Sequence, residues 1–164
     1  MRDEILSRDV TRRAVLGERS ATIFGERELI EEELVDVIQP DTGRAGGITQ
    51  MKKIAAMAEA HHIQVAPHSG SLGPDAEYAA LHVLAAIPNA LILERIDDDW
   101  DGRRHTIVPH PEQVDGLIAV PDAPALGCDI DETFVARFPS GGNVSVPVPE
   151  DGGSYNPGTY NEHL

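Results

Sequence analysis

The chain has 164 residues and a formal net charge of −15, from 13 basic and 28 acidic side chains. Such an acid excess argues against nucleic acid and anionic membrane surfaces as partners. The single cysteine, Cys128, precludes an intrachain disulfide and a cysteine-built zinc site, which fits a reducing interior. No apolar stretch approaches the ~18 residues of a membrane span, and the charged start Met1 to Glu4 leads into no signal-like core, so the expected location is cytoplasmic. Lys52 and Lys53 are the only lysines. Acid excess with scarce lysine marks a surface adapted to concentrated salt, where screening removes self-repulsion; an ordinary acidic cytosolic protein is the alternative.

Met1 to Thr11 is polar and arginine-bearing, and the first apolar run is Ala14-Val15-Leu16, ending at Gly17-Glu18. Gly25 to Glu33 carries Leu29 and Ile30 among glutamates and predicts a short amphipathic helix with an acidic outer face. A second strand follows, Val35 to Asp41. Gly46-Gly47 breaks the chain before Ile48 to His61, where Ile48, Met51, Ile54, Ala55 and Ala58 recur every three or four residues on one side of a predicted helix. Ile63 to His68 reads as a third strand. Pro74 suits a first helical position and Asp75 and Glu77 suit the positive end of the dipole, so Pro74 to Ile87 is a further helix, closed by Pro88-Asn89. The fourth run is Ala90-Leu91-Ile92-Leu93-Glu94.

Beyond Arg95 the character changes. Asp97 to Gly102 reads as a solvated loop, Gly116 to Val120 as a strand, Pro121 to Pro124 as a turn and Asp131 to Phe138 as a short helix. The last 25 residues are rich in Gly and Pro, have no periodicity and read as an extended tail.

Four apolar runs thus end in Glu18, Asp41, His68 and Glu94, at intervals of 23, 27 and 26 residues. One strand, one helix and two loops take about that length, which is the rhythm of a β/α barrel. Residues at the C-terminal ends of successive barrel strands converge on one mouth, so these four are expected to meet. A length of 164 residues is nevertheless well short of the roughly 250 that eight strands usually take.

His68 precedes the glycine-rich Ser69-Gly70-Ser71-Leu72-Gly73-Pro74, which lets a substrate approach the backbone, and a histidine there is the natural proton acceptor. An isolated loop histidine is more often structural, but Asp41 one strand earlier supplies a carboxylate to fix its tautomer. Glu18 and Glu94 can each offer oxygen to Mg²⁺, yet one carboxylate alone makes no site, and singly both read as solvated loop acids. His61 and His62 close a helix, His82 lies mid-helix, and His105, His110 and His163 fall in irregular segments; none has metal-ligand spacing.

The segment Ile38-Gln39-Pro40-Asp41, then Ala45-Gly46-Gly47-Ile48-Thr49 and Lys53 to Ala60, resembles the enolase superfamily, specifically its mandelate racemase subgroup and the sugar-acid dehydratases within it. Pro67-His68, Leu72-Gly73-Pro74, Pro88-Asn89 and Leu93-Glu94 continue the resemblance, which runs from about Leu16 to Glu94 with a looser echo through Val120-Pro121-Asp122 and Tyr155 to Tyr160. It implies an α/β fold: the C-terminal half of a (β/α)8-type barrel, strands five to eight over residues 1–94, with residues 95–164 an extension and irregular tail that packs on a capping domain. It implies Glu18 as the last of three Mg²⁺ carboxylates, Asp41 and His68 as a catalytic dyad, and Glu94 as the acid that hydrogen-bonds the substrate carboxylate. In such a site the metal and Glu94 stabilise an enediolate formed when His68 removes the proton α to a carboxylate.

The reaction expected from that resemblance is dehydration of an aldonic sugar acid in carbohydrate catabolism, giving a 2-keto-3-deoxy acid. The alternatives are a racemase or epimerase of the same superfamily and a non-catalytic half-barrel that assembles with a partner. Strands one to four, the cap and two metal carboxylates have no counterpart in the sequence. The chain alone is therefore expected to be inactive, because a single carboxylate holds Mg²⁺ weakly, and to be unstable, aggregated or rescued by pairing with another copy or with a separate N-terminal polypeptide, because half a barrel exposes two open sheet edges and a core surface.

Overall fold

The computed structural model describes residues 14–69, 73–95 and 105–137. The loop expected at Asp97 to Gly102, the polar N-terminus and the C-terminal tail lie outside the described residues.

The first part alternates strand and helix. Val15–Leu16 (β1), Val37–Ile38 (β2) and Gln64–Val65 (β3) form one parallel sheet in the order β1-β2-β3, separated by helices Thr22–Glu31 (α1) and Ile48–Ala60 (α2) and followed by helix Pro74–Ala85 (α3). Register is tight: Val15 faces Val37 and Leu16 faces Ile38, while Val37 faces Gln64 and Ile38 faces Val65. Parallel neighbours demand a crossover, and the helices supply it.

Local sequence explains these elements. At the start of α2, Gly47 takes φ 84°, a left-handed conformation that a glycine adopts without steric cost. The apolar stripe of α2 then buries Met51, Ile54, Ala55 and Ala58. Pro74 opens α3 with Asp75 and Glu77 in its first turn. Lys52 Nζ donates to the carbonyl of Ala86 (3.1 Å), tying α2 to the end of α3. These side chains join Ile30, Val35, Ile38, Ala45, Ile63, Val65 and Val83 in one core between sheet and helices.

Two expectations need correction. Helix α1 begins at Thr22 rather than Gly25, because the amide of Gly25 already donates to the carbonyl of Ala21 (3.2 Å), so this glycine is interior. Its face is not uniformly acidic outside either: Glu26 is fully buried, on the stripe that also carries Ile23 and Ile30. The fourth run, Ala90 to Leu93, forms no strand; it lies along β3 with a single bridge, Val65 to Ala90. Val65 N–H donates to Asn89 O, Leu91 N–H to Val65 O and Glu94 N–H to Pro67 O (2.9, 2.9 and 3.1 Å). Leu91 and Ile92 stay exposed, so this edge lacks the second neighbour that would complete a ladder among the described residues. Asn89 fixes the turn before it, its side-chain amide donating to Ala55 O and Ile63 O (3.0 Å each).

The second part, residues 105–137, is built from two-residue pieces. Ile107–Val108 (β4) pairs antiparallel with Asp129–Ile130 (β7), and Gln113–Val114 (β5) with Leu117–Ile118 (β6), the latter inside the strand expected at Gly116 to Val120. Helix Glu132–Val135 (α4) lies within the expected Asp131 to Phe138 and is capped by Asp131, whose carboxylate accepts from Phe134 N–H (2.9 Å). This part meets the first through Tyr78, Leu81 and Ile107, with Leu93, Ile118, Leu126 and Cys128 packed around them.

Candidate active site

Each of the four residues that punctuate the apolar runs stands just past a strand or an extended segment, on one rim of the sheet. A parallel bridge sets Asp41 beside His68, and the amide of His68 donates to Pro40 O (3.1 Å). Asp41, whose side chain is 2% exposed, divides its two oxygens. Oδ1 accepts from the amides of Gly43 and Arg44 (3.0 Å each), which closes the turn after β2. Oδ2 is left 3.1 Å from His68 Nδ1. That contact orients the ring and selects the tautomer with the proton on Nδ1.

The other imidazole nitrogen faces two more carboxylates. His68 Nε2 stands 3.5 Å from Glu18 Oε2 and 3.9 Å from Glu94 Oε2. Glu18 is steadied by Arg19, whose Nε donates to Oε1 (3.1 Å), while Arg44 Nη1 donates to the Glu18 carbonyl (3.4 Å). Glu94 Oε2 accepts from Gln39 Nε2 (2.9 Å). The four side chains expected to converge therefore do so, around one imidazole that is 11% exposed. Glu18 and Glu94 are far more open, at 43% and 42%, so the cluster presents carboxylates to solvent and shelters its histidine.

Gln39 is a site residue that reading by residue type passed over. Its signal was alternation: Gln39 and Asp41 are two apart at one strand end and so share a face. Arg95 was also passed over. Its Nε pairs with Glu77 of α3 and its Nη2 donates to Pro111 O (2.8 Å), so the residue after Glu94 is fastened to both parts of the fold.

Other histidines among the described residues make contacts away from this cluster, and His163 lies outside the described residues. His82 Nε2 lies 3.1 Å from Leu126 O, joining α3 to the second part, and His61 stands 3.7 Å from Glu33. His105 and His110 meet edge to face, 6.3 Å between ring centres. Burial, and after it Asp75 and Asp129, hold the Cys128 thiol above its ordinary range, which disfavours a thiolate nucleophile. Glu26 lies behind β1, against Gly17: a side chain on Gly17 would meet its carboxylate at 3.0 Å, and the backbone there has φ +125°. Burial pushes the Glu26 carboxyl up to about 7, partly offset by Ser20.

No group of three or more His, Cys, Asp or Glu side chains among the described residues is arranged to hold a metal ion. Glu18 offers one hard oxygen donor with its other oxygen engaged by Arg19, whereas magnesium requires near-octahedral oxygen coordination. The described residues by themselves do not fit a magnesium ion.

Three parallel strands joined by helices thus gather a histidine and three acids on one rim of the sheet. Residues 3–134 match the sequence profile of the enolase C-terminal domain-like family, and the chain belongs to that family. Over 161 residues it is 35% identical to a D-mannonate dehydratase of Caulobacter vibrioides, the match covering 93% of this chain and 38% of that protein. It is 34% identical to a D-xylonate dehydratase of Haloferax volcanii, across 78% of this chain and 31% of the relative. Among solved structures it resembles an enolase from Pantoea ananatis with bound D-gluconate and Mg, with a TM-score of 0.74 at 31% identity, covering 85% of this chain and 34% of that one. The chain thus spans well under half the length of the relatives it matches. No helix among the described residues is long and apolar enough to cross a membrane.

Proposed function

We propose that the chain is the base-bearing portion of a sugar-acid dehydratase, residues 1–94 supplying strands five to seven of a barrel and the run Ala90 to Leu93 that becomes strand eight in the closed barrel, and residues 95–164 an extension that packs on a capping domain. The observation that carries this reading is the Asp41–His68 pair at 3.1 Å, flanked at Nε2 by Glu18 and Glu94, in a chain similar to dehydratases of sugar acids.

His68 takes the proton α to the substrate carboxylate at Nε2 while Asp41 holds Nδ1–H, so the ring is aimed before substrate arrives. Glu94 hydrogen-bonds the substrate carboxylate. The C–H electron pair moves toward that carboxylate, and the β-hydroxyl departs as water with the proton that His68 has taken, which restores the neutral ring and leaves an enol that becomes a 2-keto-3-deoxy acid. Glu18 would supply one carboxylate to a magnesium ion whose other ligands would have to come from outside this chain, and the ion would then stabilise negative charge on the substrate carboxylate.

The same partition makes the isolated chain inactive, since two open sheet edges and an incomplete ligand set need a second polypeptide or another copy. The test is co-expression with the portion of the Caulobacter relative that this chain does not cover, followed by assay of D-mannonate, D-xylonate and D-gluconate for 2-keto acid. Dehydration of at least one, lost in His68→Asn, is expected. Failure of all three in a folded complex, or exchange of the α-hydrogen with solvent deuterium and no loss of water, overturns the dehydratase reading, the second result in favour of an epimerase. Turnover by the lone chain overturns the claim of inactivity.

A further inference from the structure

The geometry points to a second binding site, for a phosphate group, in the cleft where the turn after β2 meets the starts of α2 and α3. The cleft has a volume of about 410 Å³, within the range of small-molecule sites, and Thr42, Gly47, Thr49, Asp75, Ala76 and Leu126 are among the residues that line it. Glu18, Asp41, His68 and Glu94 do not line it, so it is distinct from the rim cluster.

Two independent observations call for a ligand there. Thr42 is 2% exposed and its hydroxyl has no hydrogen-bond partner, although a buried hydroxyl is ordinarily satisfied. The backbone of Thr42 is already engaged in the turn, its carbonyl accepting from Gly47 N–H (2.8 Å). The start of α2 is the other observation. No side chain caps it at Gly47; the amides of Gln50 and Met51 both donate to Gly47 O (3.1 and 3.0 Å), while those of Ile48 and Thr49 find no acceptor among the described residues. With 13 residues α2 is long enough for its peptide dipoles to add, and its first N–H groups point out of the helix end, where an anion is favoured.

Asp75 decides which anion. It stands in the first turn of α3, lines the cleft, and its carboxylate makes no hydrogen bond or ion pair with a described residue. A carboxylate repels an anion that has no proton to give and accepts from one that has. Sulfate has none near neutrality, whereas a phosphate group, free or esterified, keeps one at about pH 6. Amides and a hydroxyl that donate, beside one oxygen that accepts, therefore select phosphate over sulfate.

Binding is measured without turnover, so the outcome is independent of the reaction assigned to the rim. The full 164-residue chain, labelled with ¹⁵N, is titrated at about pH 6 and constant ionic strength while the amide signals of Ile48, Thr49 and Ala76 are followed. Inorganic phosphate and glycerol 3-phosphate are expected to shift these signals saturably, and sulfate to bind about tenfold more weakly or less. Tighter binding of the ester assigns the cleft to phosphomonoesters, and equal binding assigns it to free phosphate. Thr42→Val keeps the shape, removes the hydroxyl and should weaken phosphate about tenfold, as loss of a hydrogen bond to a charged group does, whereas Thr42→Ser should bind as the parent does. Asp75→Asn, at an exposed position, keeps the test open where Thr42→Val does not fold; it replaces the acceptor by a donor and should admit sulfate. No saturable shift, equal affinity for phosphate and sulfate, unchanged phosphate binding in folded Thr42→Val, or sulfate binding unmoved by Asp75→Asn overturns the inference.

Discussion

In residues 14–95, sheet, helices and site share one core, with Ile38, Met51, Ile54, Ala58 and Val65 all fully buried beneath the rim where Asp41 and His68 meet. Residues 105–137 have the opposite build: Val108, Val114, Leu117 and Ile130 are all more than half exposed, the helix there is only four residues long, and only Ile107 joins the buried apolar set. The first region carries its order within itself. The second borrows order from the first, through Tyr78, Leu81, His82 and Arg95. Chemistry accordingly gathers where order is internal, since an aimed histidine requires a rigid base.

The sharpest way to break this comparison is to cut the shared fastening. Arg95→Met removes the guanidinium from Glu77, whose side chain is 7% exposed, and from the Pro111 carbonyl. Removing one member of a nearly buried ion pair costs on the order of 3 kcal/mol. Urea unfolding should show that loss, and hydrogen exchange should accelerate in residues 105–137 more than in α2. Equal acceleration in both regions would mean that the two are one cooperative unit.

A paired truncation sharpens the contrast. Ile54→Ala deletes a fully buried side chain and should cost about 2–4 kcal/mol, whereas Leu117→Ala, at a side chain 75% exposed, should change stability by less than about 0.5 kcal/mol. A large loss for Leu117→Ala in the isolated chain would show that the second region is more tightly held than its exposure implies.

What the sequence disclosed follows the same division. Periodicity located α2 and end signals located α3, each to within two residues, because Met51, Ile54 and Ala58 mark a single face and Gly47 and Pro74 mark the starts. The four residues at the ends of apolar runs could be named because a parallel sheet converts regular spacing into adjacency. The fourth run read as a strand because pattern reports burial potential, and not whether a neighbour is present to pair with. Gln39 escaped notice since a neutral amide announces no chemistry by type. Its role comes from a bond to a residue 55 positions away. In residues 105–137 the pieces are too short for any period to show, and an irregular chain is fixed by partners that local sequence does not name.

Glu26 tests the claim that the first region's order is internal, because there the region tolerates an evident internal cost. Its carboxyl is raised from 4.5 to about 7 by burial, so the folded state binds more protons than the unfolded state between those pH values. Stability must then fall as pH rises through that window and level off above it, while below pH 4.5 both states are protonated and the cost disappears. Glu26→Gln keeps the shape and removes the titration. Relative to its effect at pH 4.5, it should stabilise the chain at pH 8 by about 3 kcal/mol at most, since one unit of displacement is worth about 1.4 kcal/mol. Paired urea melts of the two proteins from pH 4 to 8 measure this, and the difference between them cancels the other carboxylates. A difference that does not vary with pH would mean that Glu26 finds a proton donor or water in solution, and that the space behind Gly17 is less sealed than the close approach of Glu26 to Gly17 implies.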